Sequence, residues 1–315
     1  MNKDDKILVL GSTGLVGSAV VRKLKKLGYT NIFNPPHTTL ELEKQVQVLN
    51  YFMIRQPEYV FHCAAKVGGI LANSIYPADF IYNNIVISSN IINACHKFGV
   101  KKLLNLGSSC IYPKDCPQPI KEEDLLSGKL ESTNEPYAIA KITAIKMCSA
   151  FNKQYGTNFI SAMPPNLYGI NDNFDLQTSH LLPALIRKFY EAKINNTTVT
   201  LWGDGSPRRE FMLSDDLADG LIFLMNNYDY NGEDFINIGV GEDLPIHLIA
   251  SAIMTEVGYK GNIIWDGSKP NGTMEKLLDS TKINELGWKP KTNLVTGIHN
   301  MYKWFIKNYP NIKGI

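Results

Sequence analysis

The sequence lacks the features of a membrane or exported protein. It contains no apolar run near 18 residues, and residues 1–5 lead into an apolar segment without the hydrophobic core of a signal peptide. Neither charge sign is in excess, since 32 lysines and arginines face 30 aspartates and glutamates. This balance provides no global field for nucleic acid or a membrane surface. We therefore expect a cytoplasmic protein that binds a small ligand, and neither nucleic acid nor a membrane.

Motifs for a structural metal or a redox pair are also missing. The five cysteines include no Cys-x-x-Cys pair, and the six histidines show no close metal-ligand spacing. Cys110 and Cys116 are near enough in the chain for a loop disulfide, but a cytoplasmic enzyme disfavours that bond. We expect reduced thiols and no metal.

The clearest pattern that is present is a glycine-rich segment near the start. Residues 6–10 predict a strand, three glycines follow, and apolar residues then recur at helical spacing as far as Gly28. Glycines between a first strand and a first helix permit a tight turn and a close approach of backbone N–H groups to a pyrophosphate. The pattern predicts a dinucleotide loop formed by Gly11, Ser12, Thr13, Gly14, Leu15, Val16 and Gly17.

Strand and helix patterns alternate through the first half of the chain. Further strands are predicted over 31–33, 59–63, 102–106 and 158–163, with helices over about 40–56, 77–98 and 135–155. Such alternation is typical of an α/β Rossmann fold with a doubly wound parallel sheet. After residue 169 we expect a helix over about 179–192 and short strands near 199–202 and 263–266. We predict a Rossmann domain over 1–170, to which later segments return, and a smaller α/β substrate-binding lobe over 171–315.

Three polar residues predict the reduction of a ketone. Tyr137 and Lys141 stand four residues apart on a predicted helix, so both side chains share one face. The lysine ammonium can lower the proton affinity of the phenol and orient a nicotinamide ribose. Ser108 follows the strand 102–106, and strand carboxyl ends face the cofactor, so its hydroxyl can hydrogen-bond a substrate carbonyl oxygen.

The segment after the second strand predicts the choice of dinucleotide. An acidic residue there would normally bind the adenosine ribose of NAD, but this chain has Asn34-Pro35-Pro36-His37. No carboxylate in this segment repels a 2′-phosphate, which favours NADP(H). We expect His37, Ser12 and Thr13 to contact that phosphate.

Taken together, these residues carry a family resemblance. The chain resembles the extended short-chain dehydrogenases/reductases, and within them the GDP-L-fucose synthase family, over nearly its whole length. The matching segments are 64–69, 76–82, 107–113, 134–141, 172–174 with 179–180, 208–211 and 276–279. The resemblance implies an enzyme that inverts C3 and C5 of GDP-4-keto-6-deoxy-D-mannose and then reduces C4 with NADPH. It also implies a homodimer built through helices next to the one that carries Tyr137.

The resemblance implies a catalytic role for two more residues. A C4 ketone acidifies the hydrogens on C3 and C5, so inversion needs a base and an acid on opposite faces of the sugar. The family pattern makes Cys110 the base and His180 the acid. A thiol is usable as a base at neutral pH once a cation lies near it.

Binding roles are implied in the same way. The resemblance assigns cofactor contacts to Ala64, Lys141, Pro164 and His180. Arg209 would be a bidentate partner of the GDP diphosphate, because a guanidinium matches two phosphate oxygens. The other implied substrate contacts are Ser108, Asn166, Lys188, Trp202 and Lys276.

Two departures from the family pattern keep an alternative open. Pro165 stands where the family has threonine, and Lys188 stands where bacterial relatives often have arginine. Both changes favour a dedicated C4 reductase of a related GDP-4-keto sugar, such as a heptose, whose epimerisation is done by another enzyme. Cys110 and His180 favour the bifunctional enzyme.

Other classes fit the sequence less well. A 4,6-dehydratase usually has an acidic pair where this chain has Ser109 and Cys110, and a simple 4-epimerase lacks the cysteine. A binding protein without chemistry does not need Ser108, Tyr137 and Lys141 together.

Overall fold

The computed structural model describes residues 1–269 and 271–315. Its strands are Ile7–Leu10 (β1), Ile32–Phe33 (β2), Tyr59–His62 (β3), Lys102–Leu106 (β4), Phe159–Met163 (β5), Asn166–Tyr168 (β6), Val199–Trp202 (β7), Arg208–Arg209 (β8), Phe211–Leu213 (β9), Ile236–Asn237 (β10), Leu244–Pro245 (β11) and Ile263–Asp266 (β12). Its helices are Leu15–Lys26 (α1), Gln45–Arg55 (α2), Ile70–Ile75 (α3), Pro77–Lys97 (α4), Glu135–Tyr155 (α5), Leu181–Asn195 (α6), Ser214–Asn227 (α7), Ile246–Val257 (α8), Thr281–Glu285 (α9) and Leu294–Asn308 (α10).

A six-stranded parallel sheet forms the centre of the molecule, in the order β10-β5-β4-β3-β1-β2. The chain passes from β1 to β2 at one edge and then returns to β3 on the other side of β1. The direction of winding therefore reverses between β1 and β3. In open α/β sheets, ligands bind beyond the carboxyl ends of the strands at that crevice.

Helices cover both faces of this sheet, which explains its continuous apolar strands. Successive side chains of a strand point to opposite faces. Ile7 and Val9 accordingly pack in the core on the α1 and α7 side, whereas Leu8 and Leu10 pack in the core on the α2 and α4 side. β1 is thus buried on both sides and fixes the position of the residues that follow it.

The second lobe has its own core, built from α6, α8, α10 and the parallel pair β7 and β12. Phe305 lies at its centre, fully buried, with its ring centroid 5.0 Å from that of Phe174 and 5.2 Å from that of Tyr190. This core supports β8 and α6, which face the cleft between the lobes.

The predicted doubly wound parallel sheet is confirmed, and the predicted elements of the first half appear within a few residues of their expected bounds. Two later segments join the first lobe. α7 packs on α1, where Arg22 donates three hydrogen bonds to Asp215 at 3.0, 3.1 and 3.3 Å, and β10 adds the sixth strand. The sequence patterns did not predict α3, α7, α8, α9 or α10. The division at residue 170 stays a prediction.

In residues 1–269 and 271–315, no helix has both the length and the apolar character needed to cross a membrane.

Replacing Phe305 by alanine should destabilise the protein strongly. The substitution leaves a cavity in the second core, and such changes typically cost about 3–5 kcal/mol. Ile306→Ala is the matched control, because Ile306 is 45% exposed on the same helix and should change the free energy of unfolding by less than about 0.5 kcal/mol. Urea unfolding monitored by circular dichroism measures both values. Equal losses in the two variants would contradict the assignment of this core.

Candidate active site

The glycine loop brings the ends of β1 and β3 into direct contact. Gly11 has a φ of +77°, and a methyl group there would lie 2.7 Å from the backbone nitrogen of Ala64. A methyl group at Gly17 would lie 2.2 Å from the carbonyl oxygen of Gly11. Only glycine fits at these two positions, and the turn leaves the amino end of α1 open. The site therefore fits the pyrophosphate of a dinucleotide.

A cavity of about 1130 Å³ extends from this loop across the cleft between the lobes. Its walls contain every site residue predicted from the sequence except Lys188. The catalytic set that lines it comprises Ser108, Cys110, Tyr137, Lys141 and His180. The other predicted residues that line it are Gly11, Ser12, Thr13, Gly14, Leu15, Val16, Gly17, His37, Ala64, Pro164, Asn166, Trp202, Arg209 and Lys276.

Lys141 and Tyr137 share one face of α5. Burial is the main influence on the pKa of each side chain. The Lys141 ammonium donates a hydrogen bond to the Leu106 carbonyl oxygen at 2.8 Å and lies 5.8 Å from the centre of the Tyr137 ring. Burial lowers the pKa of Lys141 to about 8. Burial also raises the pKa of Tyr137, with Cys110 adding to the rise and the Ser108 hydroxyl opposing it. The phenol therefore keeps its proton at neutral pH, as a proton donor must.

The expectation that the ammonium makes the phenol more acidic stays a prediction. Lys141 is tied to the carboxyl end of β4 by its bond to Leu106, and burial dominates the pKa of Tyr137. The lysine keeps the position that the sequence predicted, but its main visible contact is with the backbone of the sheet.

Cys110 lies in a short 3-10 turn directly after β4. Its backbone N–H donates to the Ser108 hydroxyl oxygen at 3.4 Å, so the two side chains are held next to each other. Burial raises the pKa of the Cys110 thiol, and the strongest opposing influence is the ammonium of Lys276. Lys276 makes no hydrogen bond or ion pair with the described part of the chain, so its charge is available to the cavity.

His180 stands at the start of α6, across the cavity. Its side chain does not cap the helix, so the imidazole is not committed to the backbone. It is open to the cavity but enclosed by protein on its other sides, and this desolvation lowers its pKa. The imidazolium is therefore a stronger acid, although less of it is present at neutral pH.

The two neighbouring arginines have different partners. Arg208 is held by Asp243, to which it donates from two nitrogens at 2.9 and 2.7 Å. Within the described residues the Arg209 guanidinium donates only to the Arg208 carbonyl oxygen, at 2.7 Å, and Arg209 lines the cavity with Trp202. Arg209, not Arg208, is thus free to take up a diphosphate.

Glu210, which was not predicted from the sequence, anchors the chain directly after β8. Glu210 is fully buried and accepts backbone N–H groups from Val240, Gly241 and Leu278. Its burial raises the pKa of the carboxyl to about 7. The backbone carbonyl of Glu210 also accepts from the Asn166 side chain at 3.0 Å, which orients that predicted substrate contact.

Further charged side chains line the cavity without having been predicted. They are Lys66, Lys114, Glu131, Asp172 and Lys313, together with Glu43 near the cofactor end. Asp172 is buried, which raises its pKa to about 7. The segment 172–174 had been noted as a family match, but a motif alone does not reveal that its carboxylate is buried.

Lys188 is the predicted site residue that does not reach the cavity. Its ammonium donates to the Thr200 carbonyl oxygen on β7 at 3.1 Å, and burial lowers its pKa. Its contact with the substrate stays a prediction.

The far end of the cavity leaves few groups for a 2′-phosphate. The Ser12 hydroxyl donates to the carbonyl oxygen of Asn34 at 3.1 Å, so its proton is already used. His37 is exposed and lines this end, together with Glu43. His37 is therefore the better candidate for a contact that distinguishes the two dinucleotides.

The family model described as "NAD dependent epimerase/dehydratase family" matches residues 7–239, more than half of the 315 residues. The chain belongs to this family. "Probable GDP-L-fucose synthase 1" of Oryza sativa subsp. japonica is 52% identical over 314 residues, which cover 99% of this chain and 95% of the rice protein. The predicted resemblance to the GDP-L-fucose synthase family is thereby confirmed.

Two solved structures are similar over almost the whole chain. A GDP-L-fucose synthetase from Naegleria fowleri bound to NADP has a TM-score of 0.92 and 30% identity, with 99% of this chain and 97% of that chain covered. A GDP-6-OMe-4-keto-L-xylo-heptose reductase from C. jejuni has a TM-score of 0.93 and 37% identity, with coverage of 98% and 99%.

Replacing Lys276 by methionine should make Cys110 less reactive. Loss of the nearby cation removes the strongest influence that opposes burial, so the pKa of the thiol rises further. Alkylation of Cys110 by iodoacetamide, followed by mass spectrometry over a range of pH, should show its midpoint shifted upward. Lys114→Met is the control, because Lys114 pairs with Glu131 at 3.3 Å. An unchanged profile in Lys276→Met would refute the coupling.

Replacing His37 by alanine should weaken NADPH binding selectively. An exposed charge contact contributes about 0.2–1 kcal/mol, so we expect the dissociation constant for NADPH to rise up to about fivefold. Fluorescence titration measures it, and NADH, which lacks the 2′-phosphate, provides the control. Equal changes for the two dinucleotides would show that His37 does not read the phosphate.

Proposed function

We propose that this protein inverts C3 and C5 of a GDP-4-keto-6-deoxy sugar and reduces C4 with NADPH. The observation that carries the proposal is the meeting of two chemical sets in one cavity. Ser108, Tyr137 and Lys141 are a ketone-reducing set, and Cys110 and His180 are a proton-transfer pair. The protein is an NADP-dependent oxidoreductase of nucleotide-sugar metabolism, in agreement with its relatives.

The cofactor site has the shape that the proposal requires. The glycine loop, Ala64 and Pro164 line the cavity at the carboxyl edge of the sheet, and no side chain fits at Gly11 or Gly17. NADP(H) bound there supplies the hydride that C4 receives. Lys141 and Ser108 orient the reacting groups, and Tyr137 gives its proton to the C4 oxygen.

The proposed epimerase activity rests on Cys110 and His180, which lie on different elements and act as base and acid. Cys110 follows β4 in the first lobe, and His180 begins α6 in the second, so the two approach a bound sugar from different elements. Cys110, with its thiolate stabilised by Lys276, removes a proton next to the ketone, and His180 returns one. Ser108 holds the ketone oxygen on which negative charge develops. Arg209, Trp202 and Asn166 hold the GDP end.

A second candidate is a dedicated C4 reductase acting on a related GDP-4-keto sugar. The solved C. jejuni structure is titled as a heptose reductase and superposes with a TM-score of 0.93. Pro165, which removes a hydroxyl and a backbone donor beside the sugar, also favours this reading. The reductive residues serve both candidates. The candidates differ in the sugar that is reduced and in whether Cys110 and His180 act.

The proposal includes a homodimer in the cytoplasm. α4 and α5 pack against each other next to the catalytic Tyr137, and their outer surface carries Tyr82 and Ile139, which are 65% and 37% exposed. An apolar surface on two long adjacent helices supports self-association there.

Deuterium incorporation tests the proposed function. The protein is incubated in heavy water with GDP-4-keto-6-deoxymannose and NADPH, and the product is analysed by NMR. We expect GDP-fucose with deuterium at C3 and C5, because each inversion takes its new proton from solvent. NADPH oxidation without deuterium, or no turnover, would refute the bifunctional enzyme and point to a dedicated reductase whose substrate arrives already epimerised.

Two variants assign the steps in the same experiment. Tyr137→Phe removes the proton donor to C4 and should slow NADPH oxidation by about 10²- to 10⁴-fold while deuterium exchange continues. Cys110→Ser should stop exchange. If Tyr137→Phe oxidised NADPH at the normal rate, the assigned acid would be wrong.

A further inference from the structure

The loop of residues 66–69 lies against the turn before His180 and near Phe80, which packs on Tyr137, and the proposed function gives it no role. It connects β3 to α3 and lines the cavity. The Gly69 backbone N–H donates to the Thr178 carbonyl oxygen at 2.9 Å. A methyl group at Gly69 would lie 2.6 Å from the Ser179 carbonyl oxygen, directly before His180. The loop thus joins the first lobe to the turn that carries the proposed epimerase acid.

Each side of this contact is held in place by its own hydrogen bonds. On the loop side, the Asn73 side chain donates to the Gly68 and Gly69 carbonyl oxygens at 2.8 and 3.0 Å. On the other side, an Asp175 carboxylate oxygen accepts two hydrogen bonds from Thr178, from its backbone N–H and its hydroxyl, both at 2.8 Å. A displacement at the contact between Gly69 and Ser179 therefore shifts the loop of residues 66–69 relative to the turn before His180.

Glycine at position 69 is required for space and not for backbone conformation. Its φ of −66° and ψ of −179° are open to any residue. Alanine at this position therefore causes no backbone strain, but its methyl group contacts Ser179 at far less than van der Waals distance. The turn before His180 must move to relieve it.

The preceding glycine has different closest neighbours, and an added methyl group there would meet the Thr178 carbonyl oxygen only at an ordinary contact distance of 3.7 Å. A methyl group at Gly68 would lie 2.9 Å from the Ala72 side chain and 3.2 Å from the ring of Phe80. The Phe80 ring packs edge-on against Tyr137, with ring centroids 6.2 Å apart and an interplanar angle of 82°. Gly68 also lies outside the left-handed region of φ. The absence of a side chain at Gly68 therefore leaves the space in which the Phe80 ring packs against Tyr137.

We infer that Gly68 and Gly69 are positioning residues that act on separate steps of the proposed reaction. Gly69 sets the place of His180 and hence the proton exchange at C3 and C5. Gly68, through Phe80, sets the place of Tyr137 and hence the hydride chemistry at C4. The inference rests on the proposed function, and it predicts that alanine at these adjacent positions has opposite effects.

Two assays separate the steps. Deuterium uptake at C3 and C5 of GDP-4-keto-6-deoxymannose in heavy water, without reduced cofactor, measures proton exchange alone. Oxidation of GDP-fucose at C4 by saturating NADP⁺, run at alkaline pH, measures the hydride step alone, since the hydride leaves C4 for the cofactor and the phenolate form of Tyr137 accepts the hydroxyl proton. This second assay requires no epimerisation.

Gly69→Ala should lower the exchange rate at least about tenfold and change the oxidation rate less than about twofold, because a misplacement below 1 Å is costly for proton transfer. Gly68→Ala should show the reverse pattern. Gly267→Ala is the control, because Gly267 has ordinary φ and no atom within 4 Å of its added methyl group. Both rates should be unchanged in the control.

Asp175→Ala tests the same contact without adding a methyl group. It replaces Gly69→Ala if circular dichroism shows that Gly69→Ala does not fold. It loosens the turn before His180 from the other side and should lower exchange while sparing oxidation. Parallel losses of both rates in every variant would overturn the inference and indicate a general loss of structure. Normal exchange in Gly69→Ala would overturn it as well. A wild-type protein that oxidises GDP-fucose but exchanges no deuterium would refute the epimerase function itself, and the inference with it.

Discussion

The close approach of the turns that follow β1 and β3 is the constraint on which the rest of the site depends. At Gly11 the backbone comes so near Ala64 that no side chain fits, and at Gly17 the first helix is drawn equally close to the turn. This contact lies where the winding of the sheet reverses, so the crevice stays open beyond the strand ends. Every other element of the site is placed relative to that crevice: Ser108 and Cys110 after β4, Tyr137 on α5, and His180 from the second lobe.

Burial then determines what the placed groups can do. A side chain removed from water favours its neutral form. The phenol of Tyr137 therefore keeps its proton, while the thiol of Cys110 needs help to lose its own. That help comes from Lys276, whose position in the chain is far from Cys110. The same burial lowers the pKa of Lys141 to about 8, and the Leu106 carbonyl oxygen holds its ammonium in place.

Much of the first lobe could be predicted because its signals are local. An apolar strand, three glycines and an amphipathic helix are consecutive in the chain, and so are the pair Tyr137 and Lys141. The contributions of α7 and β10 to that lobe were expected only in general terms, since their partners lie about 75 to 190 residues away. The different partners of Arg208 and Arg209 could not be predicted either. Two adjacent arginines look alike in sequence, and only the position of Asp243 shows which of them is already engaged.

The sequence by itself determined the fold class, the dinucleotide loop and the set of reactive side chains, because each depends on short-range spacing or on residue type. The tertiary structure alone decided which of these side chains share a cavity, that Lys188 turns to the Thr200 carbonyl instead, and that Gly68 and Gly69 lie against different partners. Those outcomes depend on distances between segments remote in the chain. Such distances arise from how sheet, helices and lobes pack, and no local pattern encodes them.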